Sequence, residues 1–111
     1  MGEVGYSGTA TVTASTPDLA YVAPGVSVIA DYDEPIFYSN GYYWWNYDGG
    51  WYRSSDYTGG WIYATPPRAV LRIGATAGYR HYRPHDYVVH RRPVPVHHIR
   101  RPVVRDRRAR R

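Results

Sequence analysis

The stretch Tyr42-Tyr43-Trp44-Trp45-Asn46-Tyr47-Asp48-Gly49-Gly50-Trp51-Tyr52-Arg53 decides how this chain folds. In an extended strand successive side chains point to opposite faces, so this run places aromatic rings on both sides of a sheet. Asp48-Gly49-Gly50 then reverses the chain before a second aromatic run begins. Upstream, Asn40-Gly41 is the favoured type I′ hairpin pair, because both central residues take positive φ. It separates Tyr42 from the apolar run Ile36-Phe37-Tyr38-Ser39, which is preceded by Val26-Ser27-Val28-Ile29-Ala30. Downstream, Thr58-Gly59-Gly60 introduces Trp61-Ile62-Tyr63-Ala64. Short loops make successive strands pair antiparallel. The pattern predicts an all-β fold: a twisted antiparallel meander of about four or five strands, open to curling into a small barrel.

Around this core the signals weaken. Residues 1–25 are rich in Gly, Thr and Ala and read as an extended N-terminal segment punctuated by Pro17-Asp18 and Pro24-Gly25. Thr9, Thr11 and Thr13 alternate with Ala10, Val12 and Ala14, the pattern of a short edge strand that pairs within its own sheet or with another chain. No apolar period of 3.6 survives for three turns, so helix is not expected. The exception is Pro66-Pro67-Arg68-Ala69-Val70-Leu71-Arg72-Ile73, which reads either as one helical turn ended by Gly74 or as a further strand. The meander domain is set at residues 26–83. Beyond it, residues 84–111 form a basic Pro/Arg/His-rich tail in which repeated X-Pro steps and like charges predict disorder in isolation.

Charge divides the chain along the same line. The first 66 residues hold seven carboxylates against the lone Arg53, a net of −6. Residues 67–111 hold 13 Arg against Asp86 and Asp106, a net of +11, and all five His. Such asymmetry marks an interaction tail rather than a uniformly basic domain. The 13 Tyr and 4 Trp, and the use of Arg to the exclusion of Lys, favour contact surfaces: stiff amphipathic rings and planar bidentate donors. Without cysteine there is no disulfide framework and no thiol chemistry. No apolar run is long enough to span a bilayer as a helix. Met1-Gly2-Glu3 lacks the basic and apolar regions of a signal peptide, and is read as an added start standing in place of a natural export signal.

Tyr42 to Tyr52, together with Gly59-Gly60-Trp61-Ile62-Tyr63, resembles the small exported bacterial proteins that carry a YXWGXW or WXXGXW repeat. Pro66-Pro67 and Tyr79-Arg80-His81-Tyr82 match phrases that often follow in that family. The likeness covers roughly Asp31 to Arg83, and the WXXGXW spacing itself is broken, since three residues separate Trp45 from Gly49. The resemblance implies a secreted or envelope-associated protein and transfers no catalytic residue. Trp51-Tyr52-Arg53 with Gly60-Trp61-Ile62-Tyr63 also looks like the paired phrases of bacterial Src-homology-3-type barrels, an analogy of fold alone.

The candidate sites are two. An aromatic contact surface is assigned to Tyr42, Tyr43, Trp44, Trp45 and Tyr47 of the first aromatic run, with Trp51, Tyr52, Trp61 and Tyr63 after it. Either these rings form a core with a covering segment, or they form an exposed platform for sugars or identical subunits. A polyanion-binding set is assigned to Arg91, Arg92, Arg100 and Arg101, continued by Arg105, Arg107, Arg108, Arg110 and Arg111.

Other chemistry is weaker. Asp31-Tyr32-Asp33-Glu34 fails as a calcium loop, because Pro35 occupies a ligand position and Tyr42 the place of the closing Glu. It reads as solvated or paired with Arg. His81, His85, His90, His97 and His98 lie on a tail expected to be flexible, so no metal site is assigned and no cofactor is expected. A nucleophile in the meander would lack a folded base, which argues against an enzyme. The function expected is therefore structural: self-association of a bacterial envelope or extracellular protein into a homo-oligomer or filament, with the Arg tail contacting acidic groups. The alternative is a non-enzymatic module that binds polyanions or glycans, with acidic glycan, lipopolysaccharide or nucleic acid as partners.

Overall fold

A computed structural model describes residues 16–102. The expected alternating segment at Thr9 to Ala14 and the arginines from Arg105 onward lie outside the described residues.

Among the described residues six strands form one antiparallel sheet in sequence order: β1 (Leu19–Ala23), β2 (Val26–Ile29), β3 (Ile36–Ser39), β4 (Tyr42–Tyr47), β5 (Gly50–Ser54) and β6 (Ile62–Tyr63). The meander is thus present with one strand more than the sequence suggested. The addition is β1, hidden in the segment read as merely extended. Its five residues lie between Pro17-Asp18 and Pro24-Gly25, too short a window for alternation to stand out. The barrel does not form: β1 and β6 are the two edges and do not pair with each other. With β6 only two residues long, closure has no ladder to build on.

The turns behave as their residues dictate. Asn40 and Gly41 have φ of 57° and 84°, and Asp48 and Gly49 have 53° and 83°, the paired positive values of type I′ turns. They fix the register that sets Phe37 opposite Trp44 and Trp45 opposite Tyr52. After the sheet, Pro66-Pro67 opens a single helical turn, α1 (Arg68–Leu71), which resolves the choice between turn and strand. Short 3₁₀ turns follow at Thr76–Tyr79 and Val96–His98.

Period-two alternation sorts the side chains into two cores. On one face Ile29, Ile36, Tyr43, Trp45 and Tyr52 gather with Tyr32, Tyr57 and Trp61. On the other face Val26, Val28, Phe37 and Trp44 gather with Ala20 and Ala30. A sheet apolar on both sides needs two covers, and the C-terminal half supplies both. Val70 of α1, with Tyr79, Tyr82 and Tyr87, packs on the Trp44 face. Val94, Val96 and Ile99 pack on the Trp45 face. Full burial of a large apolar side chain is worth about 1.5–3 kcal/mol, so Trp45, Phe37 and Ile36 hold the sheet between its covers.

The expectation of disorder from residue 84 is therefore corrected for residues 84–102. Apolar residues sit between the prolines, and their burial outweighs the repulsion of neighbouring charges. Among the described residues no helix is long and apolar enough to cross a membrane.

Candidate polyanion-binding face

The aromatic set divides on inspection of burial. Tyr43, Trp44, Trp45, Tyr52 and Trp61 are buried, and Tyr47 and Trp51 are half-buried against the two cores. Tyr63 at 73% exposure and Tyr42 at 37% are the members that solvent reaches most freely. Most of the proposed contact surface is thus core, and its rings meet each other: Trp45 lies 5.2 Å from Trp61 and 4.9 Å from Tyr47. The guanidinium of Arg53 stands 4.5 Å above the Tyr42 ring, so that partly exposed ring is already taken on one side.

The acidic loop after β2 is paired within the chain. Arg83 Nη2 donates to Asp31 Oδ2 at 3.0 Å. His81 sets Nδ1 3.2 Å from Asp31 Oδ1 and Nε2 2.9 Å from Asp33 Oδ1, so a doubly protonated ring donates to both carboxylates. Arg80 Nε donates to the Asp33 carbonyl. Backbone bonds from Asp31 to the Tyr82 carbonyl and from His81 to the Tyr32 carbonyl complete the seam. The Arg83 and His81 hydrogen bonds hold the Asp31 carboxyl below its usual range. Asp31 and Asp33 are in this way satisfied from within the chain.

Beyond Tyr87 the chain passes from one face to the other and is fastened at each step. Asp18 Oδ2 accepts from the Tyr87 phenol and the His90 amide, and Oδ1 accepts from the Arg91 amide. Burial pushes the Asp18 carboxyl up, but these hydrogen bonds outweigh it and leave the group below its ordinary value. Next, the Val94 amide donates to the Tyr57 phenol at 2.6 Å, while the Tyr32 phenol donates to the Val94 carbonyl. Ile99 is 6% exposed and the Arg100 amide donates to the Thr58 carbonyl.

This anchoring turns the charged side chains outward. Arg91, Arg92, Arg100 and Arg101 are all exposed, and among the described residues none has an ion-pair partner. The backbone is held at Arg91 and Arg100, and all four side chains are exposed. No family model matches this chain, and no curated protein or solved structure matches it. The assignment of a site therefore rests on the arginines themselves.

Two of them frame a concavity. Gly60, Trp61, Arg100, Arg101 and Pro102 line an open groove of about 360 Å³. The Arg100 side chain lies across Gly59, where an added Cβ would stand 3.1 Å from Nε, so glycine lets the guanidinium stem rest on the loop. The sequence showed the two arginines but not their meeting with Trp61, 39 positions upstream of Arg100. One signal was available. Val94, Val96 and Ile99 form an apolar series among the prolines, and such a series seeks a surface to cover. The five histidines do not converge: among the described residues no group of three or more potential ligands gathers as a metal site.

Proposed function

We propose that this chain is a non-enzymatic binding module for acidic polymers, with the six-stranded sheet as the stiff backing of an arginine-bearing strap. One observation carries the reading. The backbone is hydrogen-bonded to the body at His90, Arg91, Val94 and Arg100, while Arg91, Arg92, Arg100 and Arg101 remain exposed and without an ion-pair partner among the described residues. A cation held on a fixed backbone loses less conformational freedom on binding than one on a loose chain, so each phosphate or carboxylate contact yields more. The planar guanidinium suits either group. Arg105, Arg107, Arg108, Arg110 and Arg111 extend the same charge. The resemblance to exported repeat proteins supports a place in the bacterial envelope or outside the cell, where acidic polymers are abundant.

Titration of the protein with polyphosphate and with a polyuronate, at several salt concentrations, tests this. Logarithmic affinity should fall linearly with logarithmic salt, and the slope should shrink in the R91Q/R92Q/R100Q/R101Q variant, whose exposed substitutions leave the core intact. Absence of binding to either polymer at low salt, or an unchanged slope in the variant, overturns the proposal.

Self-association is a second reading, favoured by the edge strand β1. It carries no charged residue, and Leu19 and Tyr21 are 37% and 80% exposed on it. Uncharged edges with outward apolar groups invite a further strand. Light scattering on the Tyr21→Lys variant separates the readings: a smaller particle than the parent supports assembly through β1, and a monomer in both sinks it.

A further inference from the structure

We propose that the groove between Trp61 and Arg100-Arg101 is a discrete subsite for a phosphate monoester carried on a sugar; this rests on the acidic-polymer reading and gives it a defined ligand. Three features of the groove support it.

The first is charge. Arg100 and Arg101 both line the groove, and among the described residues no carboxylate does. Asp56, the carboxylate of the adjoining loop, is occupied by the Thr58 amide and hydroxyl, which donate to its Oδ1 at 3.0 and 2.8 Å. Two guanidinium groups match the charge of about −1.5 to −2 that a phosphate monoester carries near neutrality. A phosphodiester or a carboxylate would leave one positive charge uncompensated.

The second is an orphan donor. The Trp61 indole Nε1 is buried and, among the described residues, has no hydrogen-bond partner. A buried N–H without an acceptor is costly, so a ligand oxygen that reached it would supply the bond that the described residues do not. Trp61 is a wall of the same groove.

The third is size and construction. The groove of about 360 Å³ has room for about a dozen waters, which suits a phosphorylated sugar ring better than a bare ion. Arg100 is fixed by its amide bond to Thr58 and by its side chain, Cβ and guanidinium, against Gly59, and so meets a ligand already placed. In the complex the guanidinium pair takes the phosphate oxygens, and the sugar lies over Gly60 and Pro102.

The experiment follows the Trp61 indole N–H resonance, assigned by its loss in Trp61→Phe, during titration with glucose 6-phosphate. The expected result is a saturable shift, with affinity at least tenfold weaker in R100Q/R101Q and weaker at a pH where the monoester is singly charged. Gly59→Ala, which displaces Arg100, should weaken it as well. Glucose alone should give no shift, and inorganic phosphate a weaker one. A shift that does not saturate, an equal response in R100Q/R101Q, or acetate binding as tightly as the monoester overturns the proposal. If polyphosphate and polyuronate still bind the parent protein while glucose 6-phosphate does not, the groove assignment fails and the broader reading stands. If none binds, both fail.

Discussion

The carboxylate of Asp18 accepts a hydrogen bond from the phenol of Tyr87, 69 positions further along the chain. Tyr87 is among the last residues packed on the Trp44 face, and Val94 is the first apolar residue of the strap over the Trp45 face. Asp18 therefore fastens the chain where it leaves one side of the sheet for the other, and the His90 and Arg91 amides add to the hold.

Removing that carboxylate should loosen the strap. Asp18→Ala forfeits a hydrogen bond from a phenol and two from amides, partly exposed to water, for an expected loss of about 1–2 kcal/mol in chemical or thermal unfolding. Amide exchange should rise most at His90 and Arg91. A variant as stable as the parent would show that the contact holds nothing.

Acid should weaken the fold through the same group and through Asp31. Both carboxyls sit below the ordinary value of 3.8 in the folded chain, Asp31 through Arg83 and then His81, Asp18 through hydrogen bonds that outweigh its burial. A depressed folded pKa contributes stability that is fully present above the unfolded value and is lost as the pH falls through the folded one. Melting temperature should therefore drop below about pH 4. The D18N/D31N variant should start lower and show a flatter dependence over that window.

Alkali should act through the buried phenols. Burial pushes Tyr43 up to about 12, burial and then the bond to Asp18 bring Tyr87 to about 12, and burial also raises Tyr32 and Tyr57. A raised pKa contributes stability present below the unfolded value near 10 and lost as the pH rises towards the folded one. Tyrosinate absorbance should show a late, cooperative step in which Tyr32, Tyr43, Tyr57 and Tyr87 ionise together with unfolding. A single smooth titration of all tyrosines would contradict the packing.

The strap should matter to the sheet as a hydrophobic cover. Ile99 is 6% exposed against the Trp45 core, so Ile99→Ala should cost about 2–4 kcal/mol in urea unfolding. A change below about 0.5 kcal/mol, the usual size for an exposed site, would return residues 84–102 to the status of a loose tail.

Much of the sheet was legible because its signals are local. Asn40-Gly41 and Asp48-Gly49 announce their turns through backbone preference, and Ile36 to Ser39 and Tyr42 to Tyr47 announce their strands through ring-bearing side chains. β1 was not legible: five residues of Leu, Ala, Tyr and Val carry no decisive period, and only pairing with β2 makes them a strand. The arginines were legible as charge, while the groove that joins Arg100 to Trp61 was not, since no local rule brings those positions together.

The amino-acid sequence by itself determined the antiparallel meander, the two aromatic faces and the opposed charges of its halves, all of which follow from side-chain alternation and turn chemistry. Tertiary structure alone decided that those faces are core and that the segment from residue 84 to 102 lies on both, with Tyr87 on the Trp44 face and Val94, Val96 and Ile99 on the Trp45 face. The physical reason is that a sheet apolar on both sides exposes its rings until something lies on them. The burial of Val94, Val96 and Ile99, fixed by Asp18, Tyr32 and Tyr57, outweighs the repulsion that a charged, proline-rich segment suggests when read on its own.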